Sequence, residues 1–404
     1  MNRYFLPVLL SSLFLSQSFA APEVAVRKGG QDGVNTYRIP GLNCSNKGTL
    51  LAVWDNRIDS AVDLQGNIDI GLCRSLDGGQ TWLPLQTVLD MGEWGDLPEK
   101  FNGVSDASVT VDRVTGRIWV AGLWMYGVLD GKGQWTEGLT ESSKNWVHQW
   151  HSRGSQAGFS PKQTSQFLLS YSDDDGATWS EPINITEKTK REEWWLFAPA
   201  PGAGITMKDG TLVLPTQGRD AEGKPFSNIT YSKDRGETWV TSNPAHSNTT
   251  ECAVVELPDG SLMLNMRDNR NSKEKGDKNG RAIFTTSDLG QTWQQHETSN
   301  SALIEPVCMA SLHRHDYKGQ TILFFCNPHS KKDRRYMTIQ YSLDAGKTWK
   351  VGPMIDGGYS YGYSCITSVD EDTIGVLWEG SRSQMAFRAI SIADILAGKK
   401  PEEL

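Results

Sequence analysis

Short apolar runs alternate with turn-forming residues along most of the chain. Six of these runs start at a turn position: Gly48–Trp54, Gly116–Trp124, Gly210–Leu214, Gly260–Leu264, Gln320–Phe325 and Asp372–Trp378. A second short run precedes each of them: Tyr37–Leu42, Ala107–Val111, Gly202–Met207, Cys252–Leu257, Cys308–His313 and Cys365–Val369. Short apolar runs between turn signals are typical of β-strands, so the pattern predicts six pairs of strands.

An eight-residue motif with Asp, Gly, Thr and Trp at fixed positions recurs five times. The copies are Ser75–Trp82, Ser172–Trp179, Ser232–Trp239, Thr286–Trp293 and Ser342–Trp349. The Asp side chain can accept hydrogen bonds within its own turn, and the Gly supplies the positive φ that a tight turn needs. We expect the Trp to fill the apolar space behind the turn. We therefore interpret the motif, called the Asp box below, as a fold-building hairpin turn and not as a ligand site.

These repeats together predict the fold. Each of the first five strand pairs is followed by a third strand that enters an Asp box and a fourth that leaves it. We predict an all-β fold, a six-bladed β-propeller with four-stranded antiparallel blades, over residues 21–398. Residues 125–165 form an insertion in blade two, and residues 399–404 form a tail. The insertion contains Trp135, Trp146 and Trp150, and is interpreted either as a sugar-contacting rim or as a flexible decoration.

The N-terminus and the cysteines indicate an exported chain. Arg3 precedes a short apolar run that ends near Ala20, which predicts a signal peptide over residues 1–20 and a secreted or periplasmic location. No other segment is long and apolar enough to cross a bilayer. The six cysteines form no Cys-x-x-Cys pair and lie mostly in apolar runs, so we expect buried free thiols. The net charge of -8 disfavours a nucleic-acid partner, and an anionic ligand would need a local cluster of cations.

The predicted strand order places unusual polar residues on one face of the propeller. The Asp boxes and the turns within each strand pair share one face, so the opposite face carries the other ends of the strands, where loops on a rigid scaffold often carry function. These ends hold the residues Arg38, Asp55, Arg57, Asp106, Trp124, Gln217, Glu251, Arg267, Asn327, Arg334, Arg335, Tyr363 and Glu379. Arginines from separate blades are therefore expected to converge there.

An arginine cluster indicates a carboxylate or phosphate ligand, because the guanidinium fork binds both groups in a bidentate manner. A phosphate site would also need backbone nests or a metal, and neither has a signal in the sequence. An Asp or Glu nucleophile would be repelled by a substrate carboxylate. A Tyr hydroxyl that is deprotonated by a neighbouring Glu avoids this repulsion, and a Tyr nucleophile is known among glycosidases.

Several motifs resemble those of one enzyme family: Tyr37–Pro40, the five Asp boxes, Glu251, Asn265–Asp268, Tyr363-Ser364 and Leu377–Glu379. They are similar to the bacterial exo-α-sialidases (neuraminidases) of the Asp-box, or BNR-repeat, glycoside hydrolases, and the match runs from about Val24 to Glu379. The resemblance implies a retaining exo-α-sialidase that removes terminal sialic acid from sialylated glycans on glycoproteins, glycolipids or oligosaccharides. It also implies that no cofactor or metal is needed.

The resemblance assigns roles residue by residue. The catalytic residues are Tyr363 as nucleophile, Glu251 as its base and Asp63 as acid/base. The substrate-binding residues are Arg38, Arg267 and Arg334 for the carboxylate, Glu379 to steady Arg38, Arg57 and Asp106 for the hydroxyl and N-acetyl side, and Trp124 as a pocket wall. Neighbouring alternatives are Arg335 for Arg334, Tyr361 or Tyr359 for Tyr363, and Asp59 for Asp63.

Three other functions stay open at this point. A non-catalytic sialoglycan-binding propeller would be expected to lack the acid or the nucleophile. An intramolecular trans-sialidase would share the same residues and differ in its product. A glycosidase with two catalytic carboxylates would not explain the arginine cluster.

Overall fold

The computed structural model describes residues 22–64, 66–126, 128–130, 132, 134–144 and 154–399. The predicted signal peptide, residues 1–20, lies outside the described residues. So do Trp146 and Trp150 of the insertion and residues 400–404 of the tail.

Strands dominate the described part of the chain. The first are β1 Val24–Lys28, β2 Thr36–Cys44, β3 Leu50–Arg57, β4 Ile68–Ser75, β5 Gln86–Leu89, β6 Asn102–Val111, β7 Ile118–Tyr126, β8 Gln166–Ser172 and β9 Ile183–Asn184. Next are β10 Leu196–Pro199, β11 Gly202–Ala203, β12 Ile205–Thr206, β13 Leu212–Arg219, β14 Pro225–Ser232, β15 Val240–Thr241, β16 His246–Ser247, β17 Thr249–Glu256 and β18 Leu262–Asp268. The last are β19 Ala282–Thr286, β20 Gln294–Gln295, β21 Ser311–Tyr317, β22 Gln320–Pro328, β23 Arg335–Ser342, β24 Lys350–Tyr359, β25 Ser364–Ser368, β26 Thr373–Gly380 and β27 Gln384–Ser391.

Among the described residues, helical structure is confined to short segments. The two α-helices are α1 Thr186–Thr189 and α2 Ile392–Leu396, and single 3-10 turns occur at Gln31–Gly33, Trp94–Asp96, Glu99–Phe101 and Asn269–Ser272. In the part of the chain that the structure describes, these helices are all too short to span a membrane.

Hydrogen bonding groups the described strands into five sheets. Two are four-stranded meanders, β17 to β20 and β21 to β24. A third follows the path β10-β13-β14-β15 and has β12 and β16 paired at its sides. A fourth has the order β1-β27-β26-β25. The fifth contains nine strands, with the path β2-β3-β4-β6-β7-β8-β9 and with β5 and β11 paired beside it.

The all-β class is confirmed, but the prediction of six four-stranded blades is wrong. The structure has four blade-like sheets in a propeller-like arrangement, and the strands from 36 to 184 join in the nine-stranded sheet. The junction is local: Ile68 of β4 pairs in parallel with Gly103 of β6. A Cβ at Gly103 would lie 3.3 Å from the carbonyl oxygen of Gly66, so the missing side chain permits this close approach. The apolar pattern marks strands but does not report such a pairing.

The two ends of the described chain meet in one sheet. The N-terminal strand β1 pairs antiparallel with β27, with Val24 opposite Phe387. The inner strand of that sheet, β25, packs against β2, the inner strand of the nine-stranded sheet. This closure brings residues near 363 and 379 beside residues near 38, although more than 300 positions separate them in the chain.

The Asp boxes form the predicted turns. In the first copy the Ser75 hydroxyl accepts a hydrogen bond from the Gly79 amide at 2.8 Å. The Asp77 carboxylate accepts from the Thr81 amide at 2.9 Å and from the Thr81 hydroxyl at 2.6 Å. The other four copies repeat these bonds. The side chains thus satisfy the backbone of their own turn, which is the fold-building role that the sequence predicts.

The Trp of each box packs into the apolar layer, and the box lies away from the polar strand ends. Trp82 contacts Phe387 of the neighbouring sheet edge-on, with 5.2 Å between ring centroids. In the β3–β4 register, Leu50 pairs with Ser75 at the box end, whereas Arg57 pairs with Ile68 at the opposite end. The first box and Arg57 therefore lie at opposite ends of the same two strands.

The cysteines and the insertion are also placed. All six cysteines are buried free thiols, as expected from their apolar surroundings. The insertion leaves β7 after Tyr126 and returns at Gln166. In its described part, Trp135 forms an isolated antiparallel β-bridge with Leu129 and packs against the core of the nine-stranded sheet. This part of the insertion is therefore anchored on the sheet.

Candidate active site

Three predicted site residues lie where an inner strand loses its regular pairing. The register shifts between Arg38 and Gly41 in β2, around Asp106 in β6, and around Glu251 in β17. Asp106 has a φ of 60°, in the left-handed region that non-glycine residues rarely adopt. Such β-bulges re-aim side chains and are frequent beside active sites. The irregular pairing thus turns three polar side chains out of the sheets.

The Tyr363 hydroxyl lies between the Glu251 carboxylate and the Arg267 guanidinium. It donates a hydrogen bond to Glu251, and Nη1 of Arg267 lies 3.0 Å from the same hydroxyl oxygen. Arg267 also donates to the other oxygen of Glu251 at 2.5 Å. The three groups come from β17, β18 and the residue before β25, and Tyr363 and Glu251 are buried.

The surroundings shift the pKa values of Tyr363 and Glu251 in opposite directions. Burial, followed by the negative charge of Glu251, raises the pKa of Tyr363 well above its usual range, so the free site holds a neutral phenol. Burial alone would raise the pKa of Glu251 too. The positive charge of Arg267 and the hydrogen bond from Tyr363 outweigh it and hold that pKa below the ordinary value. Glu251 is therefore a carboxylate in hydrogen-bond contact with a protonated Tyr.

Glu379 ties Arg38 to the Tyr363 segment. One carboxylate oxygen accepts from Nε of Arg38 at 2.6 Å and from the Ile39 amide at 2.9 Å. The other oxygen accepts from the Tyr363 amide at 2.9 Å. Glu379 is 3 % exposed and Arg38 is 8 % exposed, so this is a buried ion pair with a full set of hydrogen-bond donors.

Arg334, and not Arg335, faces this group. Its Nη1 donates to the Tyr361 carbonyl at 2.9 Å, and its guanidinium carbon lies 5.7 Å from the centre of the Tyr363 ring. Arg335 instead stacks on Tyr336 and Tyr359. The structure therefore brings Arg38, Arg267 and Arg334 together around Tyr363.

Tyr361 occupies a different place from Tyr363. Its ring lies over the Arg38 guanidinium, with 3.9 Å from the guanidinium carbon to the ring centroid, and its side chain is 43 % exposed. It thus has a cation–π contact with Arg38 instead of a hydrogen bond with Glu251. The sequence offers Tyr361 only as a rival nucleophile, and no pattern in the chain signals a stack on Arg38.

Asp63 is held by Arg57 at the edge of the site. Nη2 of Arg57 lies 2.7 Å from the Asp63 carboxylate and 3.2 Å from the buried Asp55 carboxylate. Arg57 is 1 % exposed, whereas the Asp63 side chain is 52 % exposed. Burial raises the pKa of Asp55 to about 6, although Arg57 and a hydrogen bond from Ser105 oppose the rise. Asp63 is therefore the carboxylate of this group that solvent and ligand can reach.

Asp106 is buried near these acids. Gln217 donates to its carboxylate at 3.0 Å. Burial, followed by the negative charges of Glu251 and Asp55, raises the pKa of Asp106 well above its usual range. A neutral Asp106 can donate as well as accept a hydrogen bond, which suits it to contact an amide or a hydroxyl.

The structure does not place Trp124 in the cluster. Its side chain is fully buried in the core of the nine-stranded sheet, where the indole donates to Asn102 at 3.0 Å and packs edge-on against Trp94. The expectation that Trp124 walls the pocket is therefore wrong. The position at the end of β7 was predicted from strand order, but the side chain points into the sheet interior.

A separate cavity of about 310 Å³ lies further along the inner strands. It is lined by residues such as Asn43, Arg113, Gly202, His313 and Ser368. Asn43 and Arg113 follow Arg38 and Asp106 along or just beyond the same two strands. The chemistry-bearing cluster and this axial cavity are thus different places on the inner strands.

Comparison with known proteins gives the family. The model of the BNR repeat-like domain matches residues 48–376. A sialidase of Paraclostridium sordellii is 30 % identical over 370 residues, which cover 85 % of this chain and 81 % of that protein. The chain belongs to the sialidase family.

Two further relatives agree with this assignment. A sialidase of Bacteroides fragilis (strain YCH46) is 44 % identical over 379 residues, which cover 92 % of this chain and 65 % of that protein. The solved structure of the Hadza microbial sialidase Hz136 has a TM-score of 0.82 and 43 % identity, over 92 % of this chain and 69 % of the other. This sialidase-family chain thus spans about two thirds of the length of both proteins.

Proposed function

We propose that this sialidase-family chain hydrolyses terminal α-linked sialic acid from sialylated glycans with retention of configuration. The observation that carries the proposal is the Tyr363 hydroxyl bonded between Glu251 and Arg267. A neutral nucleophile beside cationic groups suits a substrate that brings its own carboxylate.

Three arginines supply the carboxylate site. Arg38 on β2, Arg267 on β18 and Arg334, the residue before β23, surround the Tyr363 ring. Arg38 keeps its Nη groups for a ligand because its Nε is bonded to Glu379. Guanidinium groups bind a carboxylate in a bidentate manner, so this cluster orients the substrate with its anomeric carbon toward Tyr363.

The chemistry then proceeds in two displacements. Glu251 accepts the phenol proton as the Tyr363 oxygen attacks the anomeric carbon, while Arg267, 3.0 Å from that oxygen, stabilises its developing charge. Asp63 donates a proton to the departing glycosidic oxygen. In the second displacement Asp63 takes a proton from the water that attacks the anomeric carbon, and Glu251 returns its proton to the Tyr363 oxygen as the tyrosyl–sugar bond breaks. The two inversions together retain the configuration at the anomeric carbon. For the first step Asp63 must be protonated and released from Arg57, so binding of substrate has to break that ion pair.

Two variants test this assignment. We expect Tyr363→Phe to lose nearly all hydrolysis of a sialoside, because no oxygen is left to attack the sugar. We expect Asp63→Ala to slow cleavage of sialyllactose by about 10²–10⁴-fold and to slow an activated aryl sialoside much less, because only the poor leaving group needs the proton. Proton NMR of the first product should show the α-anomer of free sialic acid.

Each rival function gives a different result. Full activity in Tyr363→Phe would refute the Tyr nucleophile and favour a pair of carboxylates. An anhydro sugar as first product would indicate an intramolecular trans-sialidase. Binding without any product would indicate a lectin-like protein. We further propose export through the predicted signal peptide, which N-terminal sequencing of the mature protein would test by a start at Ala21.

A further inference from the structure

Exposed aromatic side chains occur at one place among the described residues. These are Tyr336, Tyr359 and Tyr361, with 39 %, 63 % and 43 % exposure. All three lie on β23, on β24 or in the segment that follows β24. Aromatic rings are normally buried, so a group of exposed rings marks a binding surface.

Two of these rings enclose an arginine. Arg335 is directly opposite Tyr359 in the β23–β24 pairing. Its guanidinium carbon lies 4.1 Å from the centre of the Tyr336 ring and 4.7 Å from that of Tyr359, and its Nη1 donates to the Tyr359 hydroxyl at 3.3 Å. We call these three residues the Tyr–Arg–Tyr platform.

The backbone at the platform is strained. Tyr336 has a φ of 62°, and the pairing with β24 shifts between Arg335 and Met337. A bulky residue in the left-handed region is strained and persists at sites where the surroundings impose it. Here the bulge sets the ring of Tyr336 against Arg335 and leaves much of it open to solvent.

The platform is continuous with the candidate active site. Arg334, which precedes Arg335, bonds to the Tyr361 carbonyl, and its own carbonyl accepts from the Ser360 amide at 3.0 Å. Tyr361 covers Arg38. Tyr359 is two residues from Tyr361, so their Cα atoms are at most about 7 Å apart. That is close to the length of one sugar ring.

We propose that the Tyr–Arg–Tyr platform binds the neutral sugar to which the sialic acid is attached. This inference rests on the proposed sialidase function, because it assigns the leaving-group side of the same site. The sugar ring lies with its apolar C–H face on an exposed Tyr ring. The Arg335 guanidinium, which lies between the two rings, donates hydrogen bonds to its hydroxyl groups.

The composition of the platform favours a sugar over a protein partner. A pyranose presents an apolar face and a polar edge, and the platform offers ring faces next to hydrogen-bond donors within a few ångströms. A stable protein interface buries roughly 800 Å² on each side, which three side chains do not supply. A small site with a few well-placed polar groups is what small ligands use.

The experiment compares two substrates in four variants. Tyr359→Ala removes one ring, and Tyr336→Asn removes the other with a residue that tolerates a positive φ. Tyr359→Phe keeps the ring face, and Val351→Ala changes an exposed residue at the other end of β24 as the matched control. Each protein is assayed on sialyllactose and on methyl α-sialoside, which lacks the neutral sugar.

We expect Tyr359→Ala and Tyr336→Asn to lower kcat/KM on sialyllactose by about threefold to tenfold, mostly through KM. Activity on methyl α-sialoside should stay within twofold of the parent, and Tyr359→Phe and Val351→Ala should match the parent on both substrates. Equal loss of kcat/KM on both substrates, or loss on neither, would refute the proposal that the platform binds the neutral sugar. If the parent protein cleaves neither substrate, the proposed function itself fails, and this result is distinct from failure of the platform.

Discussion

Replacement of Glu379 by Gln tests how far the buried ion pair organises the site. In the structure one carboxylate accepts three hydrogen bonds, from Nε of Arg38 and from the amides of Ile39 and Tyr363. All three bonds therefore need an accepting oxygen at position 379. A Gln side chain has only one accepting oxygen, so its NH₂ group must face at least one of these donors, and the charge of Arg38 loses its partner.

The cost is set by the burial of the pair. Removing one partner of a buried ion pair costs about 3–5 kcal/mol, because the remaining charge stays desolvated. A domain of this size loses about 2 °C of Tm per kcal/mol, so we expect the Tm to fall by about 6–10 °C. Because Arg38 and the Tyr363 backbone both lose their anchor, we also expect kcat/KM to fall by at least tenfold in protein that is still folded.

A second buried glutamate provides the control. Glu305 is fully buried and also accepts from an arginine, Nη1 of Arg281 at 2.8 Å, and from the Asp268 amide at 2.7 Å. Glu305→Gln should therefore lose a similar amount of stability. The assays are thermal unfolding by circular dichroism and hydrolysis kinetics at a temperature where both variants are folded. If Glu379→Gln keeps the kinetics of Glu305→Gln, the role assigned to Glu379 in positioning Arg38 and Tyr363 is refuted.

Two further predictions concern Tyr361, which covers Arg38, and Asp69, a buried acid on β4. Tyr361→Ala should raise KM several-fold with little change in the pH profile, and Tyr361→Phe should match the parent, because only the ring contacts Arg38. Initial rates over a range of substrate concentrations measure both values. A Phe variant as impaired as the Ala variant would contradict the cation–π role of the ring. Burial, together with Asp90 and Glu99, raises the pKa of Asp69 to about 8, so the folded protein binds a proton there that the unfolded chain releases near pH 4. Stability should therefore fall as the pH rises from about 4 to 8, and Asp69→Asn should raise the Tm at pH 8 but not at pH 4. Equal effects at both pH values, measured by thermal unfolding, would exclude this titration.

Much of the candidate site was predictable because strand order fixes which ends of the strands share a face. Arg38, Glu251, Arg267, Arg334 and Tyr363 lie at such ends, and the structure brings them together. Strand order says nothing about side-chain direction at a given residue. For this reason Trp124 was misplaced: the same end of a strand can present a side chain to the site or to the core.

The sequence by itself determined the strands, the Asp-box turns and the residue types of the site, because each depends on neighbours within about ten positions. It did not determine how many sheets form, because one Gly103 contact with β4 joins strands that the pattern treats as separate. Only the tertiary structure decided the hydrogen-bond geometry between Tyr363 and Glu251 and the stacking of Tyr361 on Arg38. Each of those contacts joins segments more than 100 positions apart, so their geometry depends on the closure of the chain and not on local pattern.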